Sequence, residues 1–201
     1  MATRGFMGRG RAARDPRLPP GQYDTGRQWP VLTAEATPKL ETASWSFAIE
    51  GLVEREVKWT WEEIHALPPS TYSGDIHCVT TWSKFDTVFS GVSVDELLEA
   101  ARPRADAHFV MARSTTGYTT NLPLEDLTAG KAWVVWDFNG KPLQREHGGP
   151  VRLLVPHLYF WKSAKWVRKI TLTLFDEPGF WEVNGYHDYG DPWREQRYQG
   201  D

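Results

Sequence analysis

Strand-length apolar segments alternate along this chain with only short helical stretches, and that rhythm limits it to a sheet-built fold. Trp45 to Val53 reads as a strand entering a turn at Gly51, and Tyr72 to Val79 as a second strand. Further strands are expected at 108–113, at 132–138 ahead of an Asn139-Gly140 turn, and over the short apolar run Val151 to Val155. From Trp166 to Phe175 the residues alternate, with Ile170, Leu172 and Leu174 on one face and Lys169, Thr171 and Thr173 on the other. That is the pattern of a strand with one wet face. Thr60-Trp61-Glu62-Glu63 fits a capping box for a short helix stopping before Pro68-Pro69. Ser93-Val94-Asp95-Glu96 fits another, for a helix through Leu97 and Leu98 that ends by Pro103. The sum predicts an α+β fold with a mixed sheet.

Residues 1–38 break every regular period with Pro16, Pro19, Pro20, Gly21, Gly26, Pro30 and Pro38, and read as an extended arm ahead of a domain at 39–201. Residues 1–20 gather Arg4, Arg9, Arg11, Arg14 and Arg17 against Asp15, the composition of a solvated terminus. Over all 201 residues the formal charge is -3, which gives no reason to expect a nucleic acid. The length suffices for one domain with a real core. No apolar run approaches the roughly 18 residues of a membrane span, and no apolar stretch of a secretory signal follows the arginines. A cytoplasmic protein is expected.

Chemistry concentrates in three places. Cys78 is the single cysteine, so it makes no internal disulfide. As a thiol it would be a small buried hydrophobe, and as a thiolate a nucleophile or a metal ligand. Downstream, Glu146-His147-Gly148-Gly149-Pro150-Val151-Arg152 and Lys162-Ser163-Ala164-Lys165-Trp166 supply an imidazole, a guanidinium and two ammonium groups. That set suits an anionic cofactor that accepts hydrogen bonds. The six histidines (65, 77, 108, 147, 157 and 187) lack the spacing of a zinc site. No C-x-x-C-H or G-x-G-x-x-G pattern is present. A cysteine hydrolase with Cys78 as nucleophile and His147 or His157 as base accommodates some of these residues but leaves Arg152, Lys162 and Lys165 without a task. A non-catalytic module that binds through its many aromatic rings is a reading from a different class.

Together with Asp75-Ile76-His77-Cys78, these two segments resemble the oxidoreductase domain of the sulfite oxidase family, and most of all its small single-domain bacterial members. The likeness runs from about Pro38 to about Tyr189. It implies a mixed-sheet molybdopterin-binding domain carrying molybdenum on a pterin dithiolene. Cys78 matches the metal-ligating cysteine, and His147 and Arg152 match the pair that hydrogen-bonds the pterin and its phosphate. Ser163, Ala164 and Lys165 match the cofactor-binding tripeptide, with Lys162 beside it and Ser114 near a further cofactor contact. Tyr186 matches the active-site tyrosine, with His187 next to it and His157 as a further candidate lining residue. The implied chemistry is oxygen-atom transfer with a small oxo donor or acceptor. Electrons would come from a separate protein, a flavin or ferredoxin-type reductase, since no haem, flavin or iron–sulfur motif is visible.

Two departures bear on substrate. Sulfite-oxidising members carry an anion-binding arginine where this chain has Ser83 and then Lys84, and an Arg-Asn-His segment where it has Val31-Leu32-Thr33. A charged hydrogen bond is worth about 1.5–3 kcal/mol, so losing two removes several powers of ten in anion affinity. Weak sulfite oxidation is expected, with a neutral S-oxide or N-oxide as the better substrate, as in the related methionine-sulfoxide reductase branch. A sulfite-oxidising enzyme is the alternative within the family.

Overall fold

A computed structural model describes residues 15–201, so Arg4, Arg9, Arg11 and Arg14 lie outside the described residues. In chain order the strands are β1 (Tyr23–Asp24), β2 (Ser46–Gly51), β3 (Val57–Thr60), β4 (Ser70–His77), β5 (Trp82–Ser93), β6 (Phe109–Ser114), β7 (Thr119–Pro123), β8 (Trp133–Phe138), β9 (Lys141–Pro142), β10 (Arg152–Leu154) and β11 (Val167–Thr173). The α-helices are α1 (Trp61–His65), α2 (Val94–Ala101) and α3 (Phe180–Val183). One sheet runs β3-β2-β11-β6-β7, with β2 and β11 parallel and the other pairs antiparallel. The other runs β1-β5-β8-β10, with β4 along the second edge of β5 and β9 on β8. Here β1 and β5 are parallel and the rest antiparallel. Both sheets are mixed and the helices are few and short, which makes the fold α+β.

Local chemistry sets the helix ends. Thr60 Oγ1 accepts from Glu63 N at 3.2 Å and Glu63 Oε2 accepts from Thr60 N at 2.8 Å, so the first capping box is formed. The second is not reciprocal. Ser93 Oγ accepts from Asp95 N at 3.2 Å, while the Asp95 carboxylate accepts from Ala129 N and Gly130 N at 2.8 Å each. A loop in need of acceptors thus claims the carboxylate, and Glu96 closes no box. Helix α2 still ends in a left-handed Arg102 ahead of Pro103 and buries Val94, Leu97, Leu98 and Ala101, one face at helical spacing.

Two apolar clusters flank the β1-β5-β8-β10 sheet. Along β8, Val134 belongs to the main core with Phe47, Ile49, Leu97 and Ile170, whereas Val135 belongs to a second cluster with Ile76, Cys78, Phe89 and Tyr159. Leu153 and Leu154 of β10 divide in the same way. A strand covered on both faces needs largely apolar sequence, which accounts for the run Val151 to Val155, interrupted only by Arg152.

Of Thr80-Thr81-Trp82-Ser83-Lys84, a stretch whose polarity suggests a loop, Thr80 and Thr81 form the turn and the longest strand, β5, begins at Trp82. Ser83, Lys84 and Thr87 are buried there, each with a partner. Ser83 Oγ meets His77 Nδ1 at 2.8 Å, Lys84 Nζ donates to Gly26 O at 3.0 Å, and Thr87 Oγ1 donates to Gly74 O at 2.6 Å. Strand β7, with buried Thr120 and Asn121, is hidden in the sequence by the same polarity. Leu174, expected on the dry face of β11, lies past its end and is 40% exposed. Among the described residues no helix is long and apolar enough to cross a membrane.

Candidate cofactor and active site

Alternation along β4 sends His77 and Cys78 to opposite sides. His77 turns to Ser83, and Cys78 joins the second apolar cluster. The turn after Cys78 is held from several directions. Cys78 N donates to Trp82 O at 2.8 Å, Gln22 Nε2 donates to Cys78 O at 3.0 Å, and Arg197 donates to Val79 O. The sulfur lies 3.2 Å from Thr80 Oγ1. Burial pushes the thiol pKa up, while the Thr80 hydrogen bonds and the charges of Arg197 and Lys165 oppose the rise. No imidazole is hydrogen-bonded to the sulfur among the described residues, so the nucleophile–base contact of a cysteine hydrolase is not formed.

The His-Gly-Gly-Pro segment is a tight reversal. A 3-10 turn, Arg145–His147, ends in Gly148 at φ 107°, and a Cβ on Gly149 would lie 2.1 Å from Leu143 O. Two residues without side chains let the chain double back and enter β10 at Arg152. The Arg152 guanidinium, 1% exposed, donates from Nη1 to His147 O at 2.8 Å and from Nη2 to Ser163 O at 2.7 Å. It lies 3.9 Å over the Phe160 ring and joins the two motif segments. Lys165 Nζ donates to Glu146 O at 2.6 Å and to Leu32 O at 2.7 Å.

All these acceptors are neutral carbonyls, so the two cations share the site without a carboxylate ion-pair partner among the described residues. Burial lowers the Arg152 pKa to about 9. Burial and then Arg152 lower Lys165 to about 8. Burial, Arg152 and Lys165 lower His147 to about 4. The site carries more positive charge than the protein offsets, and an anion would relieve it.

Cys78, His147, Arg152, Ser163, Lys165 and Tyr186 all line one cavity of about 260 Å³. Aromatic rings make much of its wall. Tyr186 stands edge-on to Trp161 at 5.2 Å and tilts against Trp181 at 4.7 Å, and burial raises its pKa. The remaining wall comes from the arm, through Trp29, Pro30, Leu32, Thr33, Ala34 and Glu35. Sequence reasoning set Leu32 and Thr33 opposite a family anion-binding segment but missed Trp29, Pro30, Ala34 and Glu35 as wall residues. The available signal was the apolar run Trp29-Pro30-Val31-Leu32 inside an otherwise polar, glycine-containing arm.

Other expected residues stand off the wall. Ala164 packs in the main core. Ser114 Oγ pairs with Thr116 Oγ1 at 2.7 Å. Lys162 is fully buried in an ion pair with Glu182 at 2.6 Å. His187 Nδ1 accepts from Tyr189 N at 2.9 Å and shapes the turn there. His157 Nε2 meets Asp126 Oδ1 at 3.0 Å and lines a separate depression together with His77 and Trp193. Ser83 and Lys84 do not line the cavity either.

A soft thiol beside an under-neutralised pair of cations fits a group that is both sulfur-bonding and anionic. Among the described residues no cluster of three His, Cys, Asp or Glu side chains could hold a metal ion by itself. A metal here would therefore need ligands of its own besides Cys78.

Residues 34–181 match the family described as oxidoreductase molybdopterin binding domain. The chain is 44% identical over 186 residues to the oxidoreductase YuiH of Bacillus subtilis (strain 168), covering 92% of this chain and 93% of YuiH. It is 24% identical over 186 residues to the protein-methionine-sulfoxide reductase catalytic subunit MsrP of Campylobacter jejuni, covering 84% of this chain and 61% of MsrP. The sulfane dehydrogenase SoxCD from Paracoccus pantotrophus shares the fold, with a TM-score of 0.64 at 21% identity over 70% of this chain and 41% of that one. The chain thus spans nearly all of YuiH, but about three fifths or less of the other two. With the family match covering most of the domain, the chain belongs to the oxidoreductase molybdopterin-binding domain family and is an oxidoreductase whose cofactor is molybdenum carried by molybdopterin.

Proposed function

We propose that this protein transfers an oxygen atom from a neutral S-oxide or N-oxide, releasing the reduced compound. The observation that carries the reading is the division of the cavity. Its cations, Arg152 and Lys165, come from the motif segments, whereas the wall around Tyr186 is built of Trp161 and Trp181. Lys84 directs its ammonium to Gly26 O and Gln28 O at 3.0 and 3.2 Å and does not line the cavity. A neutral oxide with apolar substituents suits such a wall better than the sulfite dianion does. The name of the relative MsrP, a protein-methionine-sulfoxide reductase, supports an S-oxide.

In this reading the Cys78 thiolate ligates molybdenum, and Lys165, Arg152, His147 and Ser163 hold the pterin and its phosphate. The cofactor supplies two-electron oxygen-atom chemistry when bound. Tyr186 donates its phenolic proton as a hydrogen bond to the substrate oxygen while negative charge gathers there. Trp161 and Trp181 exclude water from that contact. Ser114, Lys162 and Ala164 support the cavity from behind its wall, and His157 and His187 lie outside it. Each turnover takes up two electrons and two protons and releases the oxygen as water, so a separate electron-transfer protein such as a flavin or ferredoxin-type reductase is needed. A cytoplasmic setting, which keeps the lone thiol reduced, belongs to the same reading.

Purified protein should contain stoichiometric molybdenum and pterin, and Cys78→Ser should abolish reduction of dimethyl sulfoxide, methionine sulfoxide and trimethylamine oxide by a reduced dye. Efficient sulfite oxidation without oxide reduction would overturn the substrate assignment. Ester or amide hydrolysis by metal-free protein that Cys78→Ser abolishes would return the choice to a hydrolase.

A further inference from the structure

We infer that residues 29–35 form a movable wall that opens to admit the pterin cofactor and then retains it, with Trp29 as the latch. The inference rests on the cofactor site described above. The arm has two clamped ends. On one side Tyr23 N donates to Thr81 O and Thr25 N to Ser83 O, each at 2.9 Å, and Lys84 Nζ grips the carbonyls of Gly26 and Gln28. On the other, Arg145 Nη2 donates to Pro38 O at 2.9 Å. Between the clamps the chain has no backbone ladder.

Besides the contacts of the Trp29 ring with Phe138 at 4.3 Å and Phe89 at 5.7 Å, three contacts hold that span against the cavity. The Trp29 indole stacks on the His147 ring at 3.8 Å and 10°. Leu32 O accepts from Lys165 Nζ at 2.7 Å, and the Glu35 carboxylate accepts from Thr116 Oγ1. The second and third occupy donors that an anionic group would claim, a half-buried ammonium and a hydroxyl next to Ser114. Most of the span is otherwise exposed, with Leu32 at 47%, so little apolar surface holds it except the Trp29 ring.

Size gives an independent argument. Pockets that bury a small-molecule ligand usually measure about 300–1,000 Å³, and the cavity closed by this wall measures about 260 Å³. A pterin with its phosphate is a ligand of that class. The strand ends and the glycine turn in the other walls are packed in cores and the half-buried Trp181 and Tyr186 pack on each other, whereas residues 31–34 are exposed, so the arm is the wall that yields. Loading would exchange Leu32 O and Glu35 for the anion on Lys165 and Thr116, while Trp29 folds back over His147.

Two measurements on the full chain test this. Arg27 and Lys39 are exposed and flank the wall, so tryptic cleavage after each reports its opening. In wild-type protein, cleavage at these bonds should be at least about tenfold faster in the cofactor-free form than in the loaded form. Loaded Trp29→Ala should release pterin, followed by its fluorescence in filtrates, at least about tenfold faster than wild type, and Trp29→Phe should restore most of the retention. Equal cleavage of free and loaded wild type overturns the movable wall whether or not the variant folds. Wild-type release rates in a folded Trp29→Ala protein overturn the latch. Wild-type protein found without pterin sinks the cofactor reading and this inference with it, whereas loaded protein with an indifferent Trp29 sinks the inference alone.

Discussion

Lys162 illustrates how a residue can be read correctly by type and incorrectly by direction. In the run Lys162-Ser163-Ala164-Lys165 both lysines look like cations for an anionic ligand. Only Lys165 reaches the cavity. Lys162 turns beneath it, where its Nζ meets Glu182 Oε1 at 2.6 Å, Asn121 O at 2.9 Å and the carbonyl of Asp188. Glu182 Oε1 also accepts from Trp161 Nε1 at 2.9 Å, which ties the pair to the aromatic wall. Burial lowers the Lys162 pKa, and Glu182 opposes the fall. Removing one member leaves an uncompensated buried charge. Lys162→Met should therefore cost about 3–5 kcal/mol, and a Lys162→Met/Glu182→Leu double variant should recover much of it. Urea unfolding checks this, and a single variant within about 1 kcal/mol of wild type would mean that the pair does not support the wall.

At the scale of elements, the decisive pieces are the glycine turn and β5. The reversal at Gly148 and Gly149 positions both His147 and Arg152, and it depends on the absence of a Cβ at Gly149. Gly149→Ala puts a methyl against the Leu143 carbonyl. Expected is a loss of at least about 2 kcal/mol from steric crowding, with cofactor content falling alongside, measured by thermal unfolding and metal analysis. A variant that keeps both would show that the turn can shift without disturbing Arg152. The motif itself stood out in the chain because its glycines and charged residues are adjacent. Strand β5 did not, since its buried Ser83 and Thr87 are satisfied across the pairing with β4 by His77 and Gly74, and its Lys84 by the distant Gly26.

Across the whole molecule, the main consequence is a cavity with excess positive charge between two strands' ends and the arm. His147, 7% exposed and stacked on Trp29, faces Arg152, Lys165 and Lys84 against Glu146 alone. Its pKa is about 4 in the fold and about 6.5 in an unfolded chain. Between those values the unfolded chain binds a proton that the fold refuses, so stability falls as the pH drops from 6.5 towards 4 and levels off below. The loss from this residue reaches about 3 kcal/mol. Urea unfolding of cofactor-free protein across that window should show the slope, to which His77, also lowered by burial to about 4, contributes as well, so His147→Gln should remove about half of it. An unchanged slope in that variant would assign the acid sensitivity elsewhere.

Adjacent residues and short periods were enough to establish the α+β class, most strand positions, both helix stops and the chemical identity of the motif segments, because each rests on interactions within a few residues. Which of those side chains meet was settled by packing over long distances. Cys78 could have been sealed in an apolar core. It does belong to such a cluster, yet it also lines the cavity with Arg152 and Lys165 because β4 ends there and the glycine turn brings β10 alongside. The arm's part in the site was equally invisible locally, since Trp29 and Leu32 acquire their meaning from His147 and Lys165, more than a hundred residues away. A ligand site made from chain ends and turns requires every wall to be in place, and only the complete fold supplies them together.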